Sequence, residues 1–120
     1  MVINDLEGNV ICEVAGEFLI GADLRRRKLW RADFRAQNLS GANLDHADCS
    51  GADFTDANLS GANLSNSTLK KTILVRADLR AADLERADLE GADIEGAKIN
   101  GETRTFKLRT NGAKGGWVWC

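Results

Sequence analysis

From Ala22 to Gly101 the chain repeats itself every five residues, sixteen times, without insertion or deletion. The middle residue of each unit, its centre, is always apolar. Centres begin with Leu24, Leu29, Phe34 and Leu39, include Cys49, and end with Leu84, Leu89, Ile94 and Ile99. Two residues before each centre stands Ala, except at Arg27, Gln37, Ser67 and Thr72. One residue before it stands Asp or Asn, except at Lys28, Thr68, Ile73 and Lys98. A unit this short cannot bury its apolar side alone, so it must stack on its neighbours.

A period of five does not suit a helix. Apolar residues at such spacing drift around 3.6 residues per turn and never form one stripe. Within a unit, Ala and the centre alternate with the acidic or amide residue between them, which is the strand period of two. The remaining pair is mostly polar or Gly, as in Ser40-Gly41, Ser60-Gly61 and Glu90-Gly91. That is turn chemistry, with Gly relieving a crowded corner. Short extended pieces joined by corners make an all-β solenoid.

The run Ala-(Asp/Asn)-(Leu/Phe)-X-X resembles the pentapeptide-repeat family and covers residues 22–101. The resemblance implies a right-handed quadrilateral β-helix with four units per coil. It therefore implies about four coils, starting at Ala22, Ala42, Ala62 and Ala82, with irregular caps in residues 1–21 and 102–120. Stacked partners would then lie twenty residues apart. One ladder would run Leu24, Leu44, Leu64, Leu84 and another Phe34, Phe54, Leu74, Ile94. At about 4.8 Å between strands, four coils span about 19 Å. Arg27 and Gln37 break the Ala rule only in the first coil, where a side chain can escape past the end. Gly16 and Gly21 keep the phase of Gly41, which makes Val14 and Leu19 centres of an irregular half coil, with Glu17 a poor inward residue.

At 120 residues, 43% of them hydrophobic, the chain fits one domain with a solenoid core. It contains no apolar run of membrane-spanning length and opens on no charged-then-apolar leader, so the expectation is a soluble cytoplasmic protein. Cys12, Cys49 and Cys120 show no zinc or disulfide spacing. Neither cofactor nor metal is expected. His46 is the only histidine and lies beside Asp45 at an expected corner, without a nucleophile to serve. Catalysis is not expected.

Charge is banded. Residues 1–21 carry −4, residues 22–41 +4, 42–61 −4, 62–81 +3, 82–101 −4 and 102–120 +3. Stacking at twenty residues would set Arg25 on Asp45, Asp56 on Arg76 and Lys70 on Glu90. Each exposed pair is worth only about 0.2–1 kcal/mol, but a slipped register would oppose like charges. Some proteins of the family act on DNA gyrase, a type II topoisomerase, by imitating duplex DNA. DNA carries about three charges per coil height. The second and fourth bands match that density, but the first and third cancel it. Direct nucleic-acid binding is not expected, because no continuous basic groove forms.

The expected function is that of a non-enzymatic interaction module with a protein partner; the alternative is a DNA-mimicking topoisomerase inhibitor or protector. The weakest match to the repeat is 67–76. There Ile73 and Val75 should face solvent, with Lys70, Lys71 and Arg76 around them, forming a candidate partner patch. Trp30 is a second outward candidate, unless the N-terminal segment covers it. Val2-Ile3 and Val10-Ile11 flank Glu7-Gly8-Asn9 as a hairpin would. After the repeats, Phe106, Leu108, Trp117 and Trp119 fall outside the five-residue register, and Asn111-Gly112 signals a turn. The tail is therefore expected to fold back as a hairpin whose apolar residues serve as a cap, as a homodimer contact, or as both.

Overall fold

The computed structural model describes all residues 1–120. Through the repeats, the residue before each centre pairs in parallel with its counterpart twenty positions on. Asp23 pairs with Asn43, Asn43 with Asn63 and Asn63 with Asp83; three further columns start at Lys28, Asp33 and Asn38. The hydrogen bonds alternate up and down the stack. The amide of Asn63 donates to the carbonyl of Ala42 at 2.9 Å, and the amide of Leu44 donates to the carbonyl of Asn63 at 2.7 Å. Each round of twenty residues thus satisfies the backbone of the next.

Corners follow one rule. The N–H of Ala47 donates to the carbonyl of Leu44 at 2.9 Å, and between them His46 holds a φ of 59°. A positive φ at the third turn residue is what such a closed turn requires. The fifth residue of every unit from Arg26 to Gly96 takes this conformation, whether or not it is glycine. The Asp or Asn of each unit belongs to the same device. Asn63 Oδ1 accepts the N–H of Ser65, and Asp83 Oδ1 that of Glu85, each at 2.9 Å. These residues face outward but are chosen because a short side-chain oxygen can close the turn.

Leu24, Leu44, Leu64 and Leu84 are fully buried, as are Phe34 and Phe54, whose rings stack at 5.0 Å. Alanines fill the other inward position. Ser67 and Thr72 occupy it too, and each donates its hydroxyl to a backbone carbonyl, that of Leu64 or Leu69. No buried polar side-chain atom lacks a partner. Arg27 and Gln37 are exposed at the open end of the first round, as their position predicts.

At the N-terminus, β1 (Val2–Asn4) and β2 (Val10–Glu13) pair antiparallel. Ile3 is buried, and Asp5 bridges Ala32, which lays the hairpin on one stretch of the first round's edge. Val14 and Leu19 are buried while Glu17 is exposed. Gly21 donates to the carbonyl of Ser40, so the repeat register reaches back past Ala22.

The tail differs from expectation. It does not fold back as a hairpin; it continues the stack. Arg104, Arg109 and Lys114 pair in parallel with Asp83, Asp88 and Asp93, twenty-one residues earlier. Then β4 (Val118–Trp119) returns to the twenty-residue register against β3 (Lys98–Ile99). One extra residue enters near Gly101, where the positive φ of the corners is missing. Asn111-Gly112 is another corner, with Gly112 at φ 71°. No helix is long and apolar enough to cross a membrane.

Candidate functional site

Ile73 and Val75 lie on the straight stretch between two corner residues, Lys71 and Arg76, which hold φ of 56° and 57°. The structure therefore brings the five predicted patch residues onto one side and its flanking corners. The expected exposure is not met: Ile73 and Val75 are half-buried. Ile73 is sandwiched between its bridge partners Asp53 and Asp93, whose side chains flank it along the column. Lacking an acceptor oxygen, Ile73 leaves the N–H of Val75 without a partner in the chain.

Most of the cations around Ile73 are engaged. Arg76 grips Asp56 of the preceding round through two hydrogen bonds of 2.8 and 3.0 Å. That contact holds the Asp56 carboxyl below its usual range. Lys70 Nζ lies 3.9 Å from both Asp88 and Glu90. Lys71 forms no ion pair, and with Lys70, Glu90 and Asn111 it lines a shallow groove of about 310 Å³. Of the stacked pairs expected from the sequence, Asp56–Arg76 and Lys70–Glu90 are present. Arg25–Asp45 is not, because Arg25 turns to Asp23 of its own unit at 2.8 Å.

Asp45 is used otherwise. It accepts hydrogen bonds from Asn66 at 3.1 Å and Ser65 at 2.9 Å, and its Oδ2 lies 3.0 Å from His46 Nδ1. The Asn66 amide, then His46 and Ser65, hold its carboxyl down at about 2. The Ser65 hydroxyl points to Asp45 and Asn63, away from any role as a histidine-activated nucleophile. This cluster ties two rounds together. Elsewhere burial pushes the Cys49 thiol up, so it behaves as a core hydrophobe.

Trp30 is 53% exposed and uncovered by the N-terminal segment, with Lys28 Nζ 5.7 Å from its ring centroid. In the tail, Leu108 has a place in the repeat register offset by the extra residue, while Trp117 and Trp119 follow Ala97 and Ile99 in the unshifted twenty-residue register. With Ile99, Thr103, Thr105 and Thr110 they line an open hollow of about 350 Å³ at the end of the stack. Leu108 and Trp117 pack on the core, while Trp119 stays 70% exposed. Phe106 is separated from them, on the outer surface between Arg86 and Lys107 at 5.5 and 5.4 Å. No three His, Cys, Asp or Glu side chains converge as a metal site would need.

Sequence reasoning expects a strand edge at each end of the stack, capped by the terminal segments; what it missed is the stretch of that edge left open at Asp23 and Lys28 in the first round. Its signal was available: twenty residues before either position lies outside the repeats, so no stacked partner exists there.

Comparison with known proteins agrees with this architecture. The model of the Pentapeptide repeats family matches residues 19–48, 38–74 and 62–101, with eight copies. Among solved structures, a pentapeptide repeat protein from the cyanobacterium Cyanothece 51142 is 34% identical with a TM-score of 0.57. The match covers 73% of this chain and 64% of that one. A pentapeptide repeat protein from the Arabidopsis thaliana thylakoid lumen is 33% identical over 81% of this chain and 63% of its own, with a TM-score of 0.49. HetL of Nostoc sp. strain PCC 7120, described as involved in heterocyst differentiation regulation, is 26% identical with a TM-score of 0.51. There the match covers 78% of this chain and 47% of HetL. The chain thus spans less than two thirds of each of these structures. Among curated proteins, none matches by sequence. The chain belongs to the pentapeptide-repeat family, and its fold is the right-handed β-helix of that family.

Proposed function

We propose that the chain is a non-enzymatic interaction module that binds another macromolecule, a protein, through its outer surface. Its architecture is read as four-sided, with about four coils over 22–101 and a further round from the tail. The twenty-residue pairing and the corner at every fifth residue support this reading. Such a stack holds outward side chains at fixed spacing on a stiff support, as recognition surfaces need. The observation that carries the reading is the break at Ile73 and Val75, where two β-branched side chains interrupt the polar exterior between cationic corners.

Three finer elements belong to the same proposal. The open hollow around Trp117 and Trp119 serves a homodimer contact, since an end meeting itself gives a closed two-fold pair. A reducing cytoplasm suits the three free thiols. Inhibition or protection of a type II topoisomerase ranks second. Asp56, Asp83, Glu85, Asp88 and Asp93 all lie within 4.0 Å of a cation on a neighbouring round, which weakens any imitation of a bare phosphate column.

Ile73→Asn with Val75→Ser restores the repeat pattern and supplies the missing turn acceptor. The double variant should therefore melt within about 0.5 kcal/mol of the parent. Affinity capture from nuclease-treated lysate should lose the specific protein partner that the parent retains. A folded double variant that captures the same partner equally well removes this patch from the proposal. Inhibition of gyrase supercoiling by the parent would favour the second reading.

A further inference from the structure

In the interior of the stack, each unit sends three backbone groups toward the preceding round. For the unit centred on Leu44, these are the N–H and C=O of Asn43 and the C=O of Asp45, bonded to Ala22, Leu24 and Arg26. In the first round the corresponding groups begin at Asp23, Lys28, Asp33 and Asn38. The hairpin meets one of these stretches: Asp33 donates to the carbonyl of Asn4 at 2.8 Å, and Leu6 donates to the carbonyl of Arg31 at 2.9 Å. Gly21 covers part of another through the carbonyl of Ser40. At the first two stretches nothing arrives. The N–H and C=O of Asp23 and Lys28, with the carbonyls of Arg25 and Trp30, have no hydrogen-bond partner in the chain. All four residues are exposed.

Unpaired edges of this kind template an added strand, and proteins guard them with charge. The charges at this edge are distinctive. Arg26, Arg27 and Lys28 are consecutive and enter no ion pair, whereas Arg25, Arg31 and Arg35 are held by Asp23, Glu7 and Asp33. Asp23, Arg25, Arg26 and Arg27 line a hollow of about 370 Å³ beside the open groups. A second copy of the chain is a poor occupant of this edge: laying the tail end, which carries +3, or another first round on it would set cations against the unpaired Arg26, Arg27 and Lys28. The same charges repel basic strands and attract acidic ones, giving attraction and exclusion together.

We propose that the open edge at Asp23 and Lys28 docks an extended acidic segment of a protein partner as an added strand. Backbone bonds at Asp23 or Lys28 hold the segment, and its carboxylates meet Arg26, Arg27 and Lys28. This rests on reading the chain as an interaction module, but it uses a surface separate from Ile73 and Val75.

The test uses the full isotope-labelled chain and the peptide acetyl-Glu-Val-Glu-Val-Glu-amide, about as long as one repeat unit. Saturable binding should shift and protect the amides of Asp23 and Lys28 above all others. Arg26→Glu with Arg27→Glu should weaken binding by at least about tenfold while leaving distant amides unmoved. A peptide N-methylated at alternate amides should bind far more weakly. Equal binding of the N-methylated peptide, or shifts confined to arginine side chains, would reduce the edge to an ionic patch and overturn the proposal, as would no binding at millimolar peptide. The Ile73→Asn, Val75→Ser variant should bind the peptide like the parent. Peptide failure alongside intact partner capture therefore sinks the edge alone, and the reverse result sinks the patch alone.

Discussion

Ala81 shows what the corner demands of a single residue. It holds φ at 59°, and its N–H donates to Asn100 Oδ1 at 3.0 Å. A left-handed L-residue costs about 1–2 kcal/mol, and glycine avoids that at an entropic cost of about 0.5–1 kcal/mol. Ala81→Gly should therefore stabilise the protein by about 0.5–1 kcal/mol, read as a raised urea or thermal midpoint. A lowered midpoint would mean the corner is unstrained at this position. The same scale shows what was legible beforehand. Alternation placed Ala and the centre inward and Asp or Asn outward, because burial depends only on the period of two. It did not show that Asn63 or Asp83 closes its turn through Oδ1, since that bond depends on backbone angles that polarity cannot encode. Nor did it foresee Asp45 turning to His46, Ser65 and Asn66 rather than to Arg25, because a shorter reach to Asp23 satisfied the arginine first.

Among the elements, the tail was the least legible. Asn111-Gly112 fits a hairpin turn and a solenoid corner equally well, and the extra residue near Gly101 broke the count that would have separated them. Leu108, once the offset is allowed, and Trp117, back in the twenty-residue register, both fall at the inward position normally held by Ala. Gly115 is what lets this last round close. It holds φ at 86°, and a Cβ there would lie 2.6 Å from the amide nitrogen of Glu95 and 2.7 Å from its Cα. Backbone cannot yield as a flexible side chain can. Gly115→Ala should cost more than about 1 kcal/mol and free β4, shifting tryptophan emission to the red as Trp117 leaves the core. Gly116→Ala meets no atom within 4 Å and should leave both signals unchanged. Equal behaviour of the two variants would mean the final round is not seated on Glu95.

The molecule as a whole measures 32 × 24 × 22 Å, longer than the repeats alone require because the hairpin and the tail extend the stack at both ends. Its alternating bands are partly stitched across rounds, by Arg76 to Asp56 and by Arg104 to Asp83 and Glu85, so they favour one register over its neighbours. The ends are where this logic stops, because a solenoid must terminate with an unpaired edge and an open core. At the C-terminal end the tail takes up that burden. The amides of Leu84, Arg86, Leu89, Gly91, Ile94 and Gly96 all donate to carbonyls between Arg104 and Gly116. Truncation after Gly101 would strip these partners at once and uncover Leu84, Leu89 and Ile94. The truncated chain should sediment as higher-order aggregates and melt well below the parent. Trp119→Ala keeps every backbone bond and removes only an exposed ring, so it should leave the melting point near the parent's while dissociating an end-on homodimer. A soluble, fully stable truncated monomer would show that the tail neither closes the stack nor joins two copies.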